Sequence, residues 1–325
     1  MSMERSNNVW FHSYIALTAP GGSPDLLQRR RMTKPHALEL VASCWTSAGA
    51  VAPLQIPETS PVPIADRLEA IASTGWSGFG LAHDDLAAAR SALGFPALRS
   101  LIDDAGLRHV EVELLSDWWD ESLAHRWRPQ FDLLLEAAET LGARFIKVGT
   151  TIGEPLEELD FLVEPLRRLS AEAALRGTRI ALEPMPFSMV GSVPAAADLM
   201  RNVDMPGCGL VVDYWHVFRA GTSLDALSGS LEAHQIFGVE LNDADTAIRG
   251  SLFEDTRDNR RLCGQGDQDV SGFIQTLKSI GFNGPWGVEI LSEEHRALPV
   301  QDALRAAHET ALACFPEVPA LRSEK

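Results

Sequence analysis

The chain has 325 residues, 45% of them hydrophobic and 22% charged, a balance that supports a large buried core and excludes a disordered chain. Its 28 Lys and Arg against 45 Asp and Glu give a formal net charge of -17 and a pI near 4.9, a field that repels phosphate backbones and anionic membranes. Cys44, Cys208, Cys263 and Cys314 are far apart with no Cys-x-x-Cys pair, so they read as reduced thiols of a reducing compartment and no disulfide is expected.

In chain order, the apolar run from Val9 to Pro20 is broken by His12 and Ser13 and is followed, not preceded, by Arg29-Arg30-Arg31. It is too short to span a bilayer and in the wrong order for a secretory signal, so a cytoplasmic location is expected. Residues 1–35 show no clear period and read as an N-terminal extension, either flexible or an upstream reading of the start, ahead of a catalytic domain at 36–325.

From His36 onward, short apolar runs alternate with amphipathic stretches, the pattern of repeated βα units around a parallel sheet. The expected strands are Leu38–Ser43, Gly78–Ala82, His109–Leu114, Phe145–Val148, Arg179–Leu182, Gly209–Val212, Gly238–Leu241 and Trp286–Ile290. The expected helices are Ile64–Ser73, Ala97–Ala105, Gln130–Leu141, Leu156–Leu175, Ala195–Asn202, Val270–Ile280 and Val300–Cys314. Gly106, Gly142, Gly177 and Gly281 close helices, where glycine accepts a left-handed conformation without steric cost. Eight units of this kind predict a single α/β (β/α)8 TIM barrel; an open doubly wound sheet would carry a glycine-rich phosphate turn after its first strand, and Cys44-Trp45-Thr46-Ser47-Ala48-Gly49 is not one.

In a barrel the reactive groups sit where strands stop, at the C-terminal face. The last four strands run into acids: Glu183 after Leu182, Asp213 after Val212, Glu240 within Val239-Glu240-Leu241, and Glu289 after Val288. One such acid is ordinarily a helix cap or a solvent contact. Four at one rim repel each other at low dielectric, and a bound cation is a cheap remedy. All-oxygen ligation favours Mg²⁺ or Mn²⁺ over Zn²⁺.

Together, Leu182-Glu183-Pro184, Asp213-Tyr214-Trp215-His216 with Arg219-Ala220-Gly221, Gly264-Gln265-Gly266-Asp267, and Gly281-Phe282-Asn283-Gly284 through Glu289 resemble the xylose-isomerase-like sugar phosphate isomerase/epimerase superfamily, over residues 36–314. The resemblance implies a divalent metal held by Glu183, Asp213, the strand-7 position of Glu240, and Glu289, with His216 facing substrate. Strand 7 departs from the pattern, because Glu240 stands where the ketose-epimerase branch has a histidine. That change hardens the site, and a supporting position behind the ligands is the alternative for Glu240.

A packed histidine is the alternative for His216. Lys147 either holds a substrate oxygen or pairs with a rim carboxylate. Trp45, His83, Glu113, Trp118 and Trp119 lie near the ends of strands 1 to 3 and as a group are pocket candidates, since apolar faces with polar tips suit a sugar ring. Arg296, in Ser292-Glu293-Glu294-His295-Arg296, is a candidate anion clamp, with a solvated charge run as the favoured account. Gly264-Gln-Gly-Asp267 lacks a phosphate-loop lysine and reads as the turn into the next helix.

The expected function is a metal-dependent isomerase or epimerase of a sugar-like hydroxy-ketone, with Glu183 and Glu289 passing a proton through an enediolate. The main rival is dehydration of a cyclic ketone of inosose or 3-dehydroshikimate type. An apurinic endonuclease shares the strand-6 Asp-x-x-His, but strand 7 lacks the needed histidine and the net charge is -17. The intact acids argue against a non-catalytic metabolite-binding barrel. The expected partner is a small molecule, with neither nucleic acid nor membrane, and a homo-oligomer is allowed.

Overall fold

The computed structural model describes residues 38–316, so the extension expected at 1–35 lies outside the described residues. Eight parallel strands close into a barrel in sequence order: β1 (Leu40–Ala42), β2 (Gly78–Ala82), β3 (His109–Leu115), β4 (Ile146–Val148), β5 (Ile180–Leu182), β6 (Cys208–Asp213), β7 (Ile236–Leu241) and β8 (Trp286–Val288). Closure is the pairing of β8 with β1, in register Leu40 to Trp286, Val41 to Gly287 and Ala42 to Val288.

The side-chain period of two sorts each strand into two layers. Ile146, Val148, Ile180, Leu182, Leu210, Val212, Val239 and Leu241 join the large core packed between barrel and helices. Phe145, Ala181, Val211 and Phe237 form a separate buried cluster. Phe145, Ala181 and Val211 each lie two residues before Lys147, Glu183 and Asp213, so they share a face with those groups and form an apolar plug beneath them. Phe237 joins the plug where the β6–β7 register shifts between Leu210 and Val211. At Gly287 a Cβ would stand 2.4 Å from the Val239 carbonyl oxygen and 3.3 Å from Glu240 Cγ, so only glycine lets β8 pass this close to β7.

All four glycines expected to end helices have positive φ, between 71° and 111°. Two of the expected helices have a boundary displaced by more than two residues, and the helix His83–Ala92 was not expected. Gln130–Leu141 begins earlier, at Ala124, because Pro129 falls in the second turn, where its missing N–H removes a single ladder bond. The stretch expected as Leu156–Leu175 is helical only over Val163–Leu175, after a 3-10 turn at Asp160–Leu162. The residues before it are tied instead to the loop after β5, by Gly153 N–H to Phe187 O at 2.8 Å and Leu156 N–H to Met189 O at 2.9 Å. Buried Arg67 locks the first two βα units, pairing with Asp85 at 2.5 Å and donating to the carbonyls of Cys44 at 3.0 Å and Gly80 at 3.1 Å. The four cysteines are buried and free. Among the described residues no helix is long and apolar enough to cross a membrane.

Candidate active site

A cavity of about 370 Å³ opens at the C-terminal ends of the strands. Its floor is built around Lys147, whose Nζ lies 2.6 Å from Glu113 Oε2, 2.6 Å from Glu240 Oε1, 3.6 Å from Glu289 Oε1 and 3.7 Å from Glu183 Oε2. Glu183 and Glu289 stand one residue past their strands yet continue the ladder, through Glu183 N–H to Val148 O and Glu289 N–H to Leu241 O, both at 2.9 Å. Their carboxylates are thus fixed by sheet geometry rather than by loops.

A second buried cation faces Lys147. Arg260 Nη1 reaches Asp213 Oδ2 at 2.7 Å and Glu289 Oε2 at 3.0 Å, while its Nε and Nη2 donate to Thr256 Oγ1. Asn242 donates to the same Asp213 oxygen at 2.9 Å, and Asp213 Oδ1 accepts from His216 N–H at 3.1 Å, capping the helix Tyr214–Arg219. His216 Nε2 lies 3.5 Å from Glu183 Oε1, and the ring packs edge-on against Phe187.

Five carboxylates therefore face two fixed cations in a site shielded from water, a formal excess of three negative charges. The consequences differ from acid to acid. Burial works to raise Glu183, but Lys147, His216 and Arg260 outweigh it and hold the carboxyl below its usual range. Burial, reinforced by Glu183 and Glu113 against the pull of Lys147 and Arg260, pushes Glu289 up to about 8. Burial and the neighbouring Glu289 push Glu240 well above the carboxylate range. Without a further cation, the cluster relieves its repulsion by keeping protons on Glu240 and Glu289.

The donor set fits a divalent metal ion. Glu183, Asp213, Glu240 and Glu289 each offer an oxygen within 4.8 Å of the others. Opposed ligands of an octahedral Mg²⁺ stand about 4.1 Å apart, so a small side-chain closure suffices. Glu240 Oε2 is buried without a hydrogen-bond partner among the described residues, an acceptor left for a cation. Glu183, Asp213 and His216 form an overlapping three-ligand set.

The other residues singled out from sequence divide. Trp45, His83 and Glu113 line the cavity, as do Lys147, Glu183, His216 and Glu289. Trp118 does not: it is 1% exposed, its Nε1 donates to Gly149 O at 2.7 Å, and it packs edge-on against Trp119. The strand-end position suggested a wall, but the indole turned into the core, where its N–H found a carbonyl. Arg296 is also outside the lining, bound at the rim to Arg257 O at 2.6 Å and Asp258 Oδ1 at 2.5 Å, so it is no free anion clamp.

Two floor residues, Arg260 and Asn242, escaped the sequence reading. Asp243 accepts from Gly266 N–H at 3.0 Å and Gln268 N–H at 2.9 Å, and Arg260 N–H bonds Leu291 O at 3.0 Å, so the Gly-Gln-Gly turn stitches its loop across β7 and β8. That stitching aims Arg260 inward. The available signal was charge balance, since five strand-end acids need more than one lysine.

The family model for the xylose isomerase-like TIM barrel matches residues 68–310. A 3-dehydroshikimate dehydratase of Pseudomonas aeruginosa is 29% identical over 259 residues, covering 75% of this chain and 39% of that protein. An inosose isomerase of Bacillus licheniformis is 30% identical over 188 residues, covering 56% of this chain and 66% of its own length. The chain thus spans about two-fifths of the dehydratase and about two-thirds of the isomerase. A crystal structure of an IolI protein with a bound zinc atom superposes with a TM-score of 0.72 at 21% identity, over 85% of this chain and 98% of that one. The closed eight-stranded barrel, the carboxylates at its strand ends and a family match over three-quarters of the sequence agree, and the chain belongs to the xylose isomerase-like TIM barrel family.

Proposed function

We propose that this chain is a divalent-metal-dependent enzyme that moves a proton at the carbon beside the carbonyl of a ring hydroxy-ketone, giving isomerisation or epimerisation through an enediolate. The observation that carries the reading is the gathering of four strand-end carboxylates within 4.8 Å of one another, two of which, Glu183 and Glu289, line a cavity large enough for a ring while Asp213 and Glu240 lie behind its wall. Glu183, Asp213, Glu240 and Glu289 would hold the ion, with oxygen donors favouring Mn²⁺ or Mg²⁺ over Zn²⁺. A divalent ion bound there supplies Lewis-acid polarisation of the ketone oxygen, which acidifies the adjacent C–H.

Glu183 and Glu289 approach from different sides of the barrel. One takes the proton while the C–H electron pair becomes the enediolate double bond, and the other returns a proton to the opposite face or to the neighbouring carbon. His216, packed on Phe187, orients a substrate hydroxyl. Lys147 pairs with Glu113 and Glu240, and Arg260 with Asp213 and Glu289, fixing the geometry of the acids. Glu113, whose Oε1 is buried without a hydrogen-bond partner among the described residues, accepts from a substrate hydroxyl.

A second reading, dehydration, is favoured by the relative matched over 75% of the chain, whose name is 3-dehydroshikimate dehydratase. Loss of a β-hydroxyl from the same enediolate gives that outcome. Incubating the Mn²⁺-loaded chain with an inosose in deuterated water distinguishes them. Exchange of the carbon-bound hydrogen without loss of water supports isomerase or epimerase chemistry, and a mass lower by one water supports dehydration. No exchange and no water loss would contradict both.

A further inference from the structure

The mouth of the cavity is divided around its circumference. On the β2–β3 side it presents polar groups, among them His83, Ser116, Asp117 and Gln130. From the loops after β4, β5, β7, β8 and β1 it presents the large apolar side chains Ile152, Phe187, Phe253, Leu291 and Leu54, interspersed with Thr150, Thr151, Thr256 and Glu58. Phe187 and Phe253 touch edge-on at 6.0 Å, and Ile152 is held beside Phe187 by the bridge between Ile152 and Ser188. This apolar arc is a built surface, fixed by backbone bonds.

Two of its members stand out in the open. Leu54 is 63% exposed and Ile152 47% exposed, although both line the cavity. Leu54 also has φ of 63°, a left-handed conformation that glycine, asparagine or aspartate would adopt at lower cost. Its turn is fixed, with Leu54 N–H on Glu58 Oε1 at 2.5 Å and Gln55 N–H on Ala52 O at 3.1 Å. Backbone strain and solvent exposure of a large apolar side chain both count against leucine, which leaves most of its side chain outside the core. A ring polyol, hydroxylated all round its edge, gains little from such an arc.

We infer that the substrate is a ring hydroxy-ketone carrying an apolar substituent, aryl or alkyl, which lies against Leu54, Ile152, Phe187 and Phe253 while the ketone reaches the charged floor. The inference rests on the proposed role of that floor. It assigns the two sides of the mouth different tasks: the β2–β3 side meets ring hydroxyls, and the apolar arc selects the substituent.

The test compares methyl and phenyl glucosides oxidised to ring ketones, binding to the Mn²⁺-loaded full chain by calorimetry. The phenyl ketone is expected to bind at least about tenfold tighter than the methyl ketone, the scale on which an apolar pocket discriminates. Leu54→Gly removes the side chain and suits the backbone, so its Tm should not fall while the phenyl-to-methyl ratio drops; Ile152→Ser should lower the ratio as well. A ratio near one in the wild type, or a ratio unchanged in both variants, overturns the inference. The inosose exchange experiment reads the floor separately. Exchange with no phenyl preference sinks the substituent alone, and phenyl preference without exchange of any ketone supports the apolar arc while sinking the proposed chemistry.

Discussion

Replacing Glu289 by glutamine should leave the metal bound and abolish exchange of the substrate's carbon-bound hydrogen, with kcat/KM lower by about 10²–10⁴-fold, the span a positioned general base contributes. Glutamine keeps the shape and a ligating oxygen, and it keeps an acceptor for Arg260 Nη1, now 3.0 Å from Glu289 Oε2. It also removes one negative charge from a floor that holds a formal excess of three. The metal-free variant should therefore be at least as stable as the wild type at pH 8, which separates loss of a base from loss of a fold. Full exchange in Glu289→Gln would remove Glu289 from the chemistry. The same experiment on Glu183→Gln would then decide whether His216, 3.5 Å from Glu183 Oε1, carries the proton instead.

Lys147→Met is expected to be the most damaging single change to the metal-free fold, costing about 3–5 kcal/mol, the scale for removing one partner of a buried ionic group. Methionine fills similar space between Glu113 and Glu240 but leaves both carboxyls, each now 2.6 Å from Nζ, without their cation. The loss should depend on pH with a definite sign. Burial pushes Glu289 up to about 8 and holds Glu240 well above the carboxylate range, and removing Lys147, which lowers both, raises them further. A carboxyl held above its unfolded value contributes stability that is present at low pH and lost as pH rises towards the folded value. The variant should therefore be closest to wild type near pH 5 and furthest from it near pH 8. Urea unfolding at the two pH values reads this directly. A difference under about 1 kcal/mol at both would show that Lys147 is not the keystone of the floor.

Much of this architecture was legible because its causes are local. Strand period, glycine helix ends with positive φ, and acids placed where apolar runs stop are written within a few residues of each other. They carried the eight-stranded count and the set Glu183, Asp213, Glu240 and Glu289. What sequence did not show depends on contacts between distant segments. Arg260 is aimed by hydrogen bonds that a loop resembling a simple turn donates to Asp243 and Leu291. Trp118 was drawn into the core by a carbonyl 31 residues away, and Arg296 was captured by Asp258. Lys147 is instructive, since both of its readings, substrate contact and carboxylate partner, were open until four acids were found within 3.7 Å of its nitrogen.

The central claim is that these strand-end acids form one divalent metal site, and titrating the full metal-free chain with Mn²⁺ at pH 7, in buffers of different ionisation enthalpy, tests it most directly. Burial pushes Glu289 up to about 8 and raises Glu240 well above the carboxylate range, and ligation requires both to ionise, so binding should release at least about one proton per ion. The account predicts saturation at one Mn²⁺ per chain, proton release, and loss of binding in Asp213→Ala, which removes the ligating oxygen. No saturable binding, or binding without proton release that persists in Asp213→Ala, would contradict it.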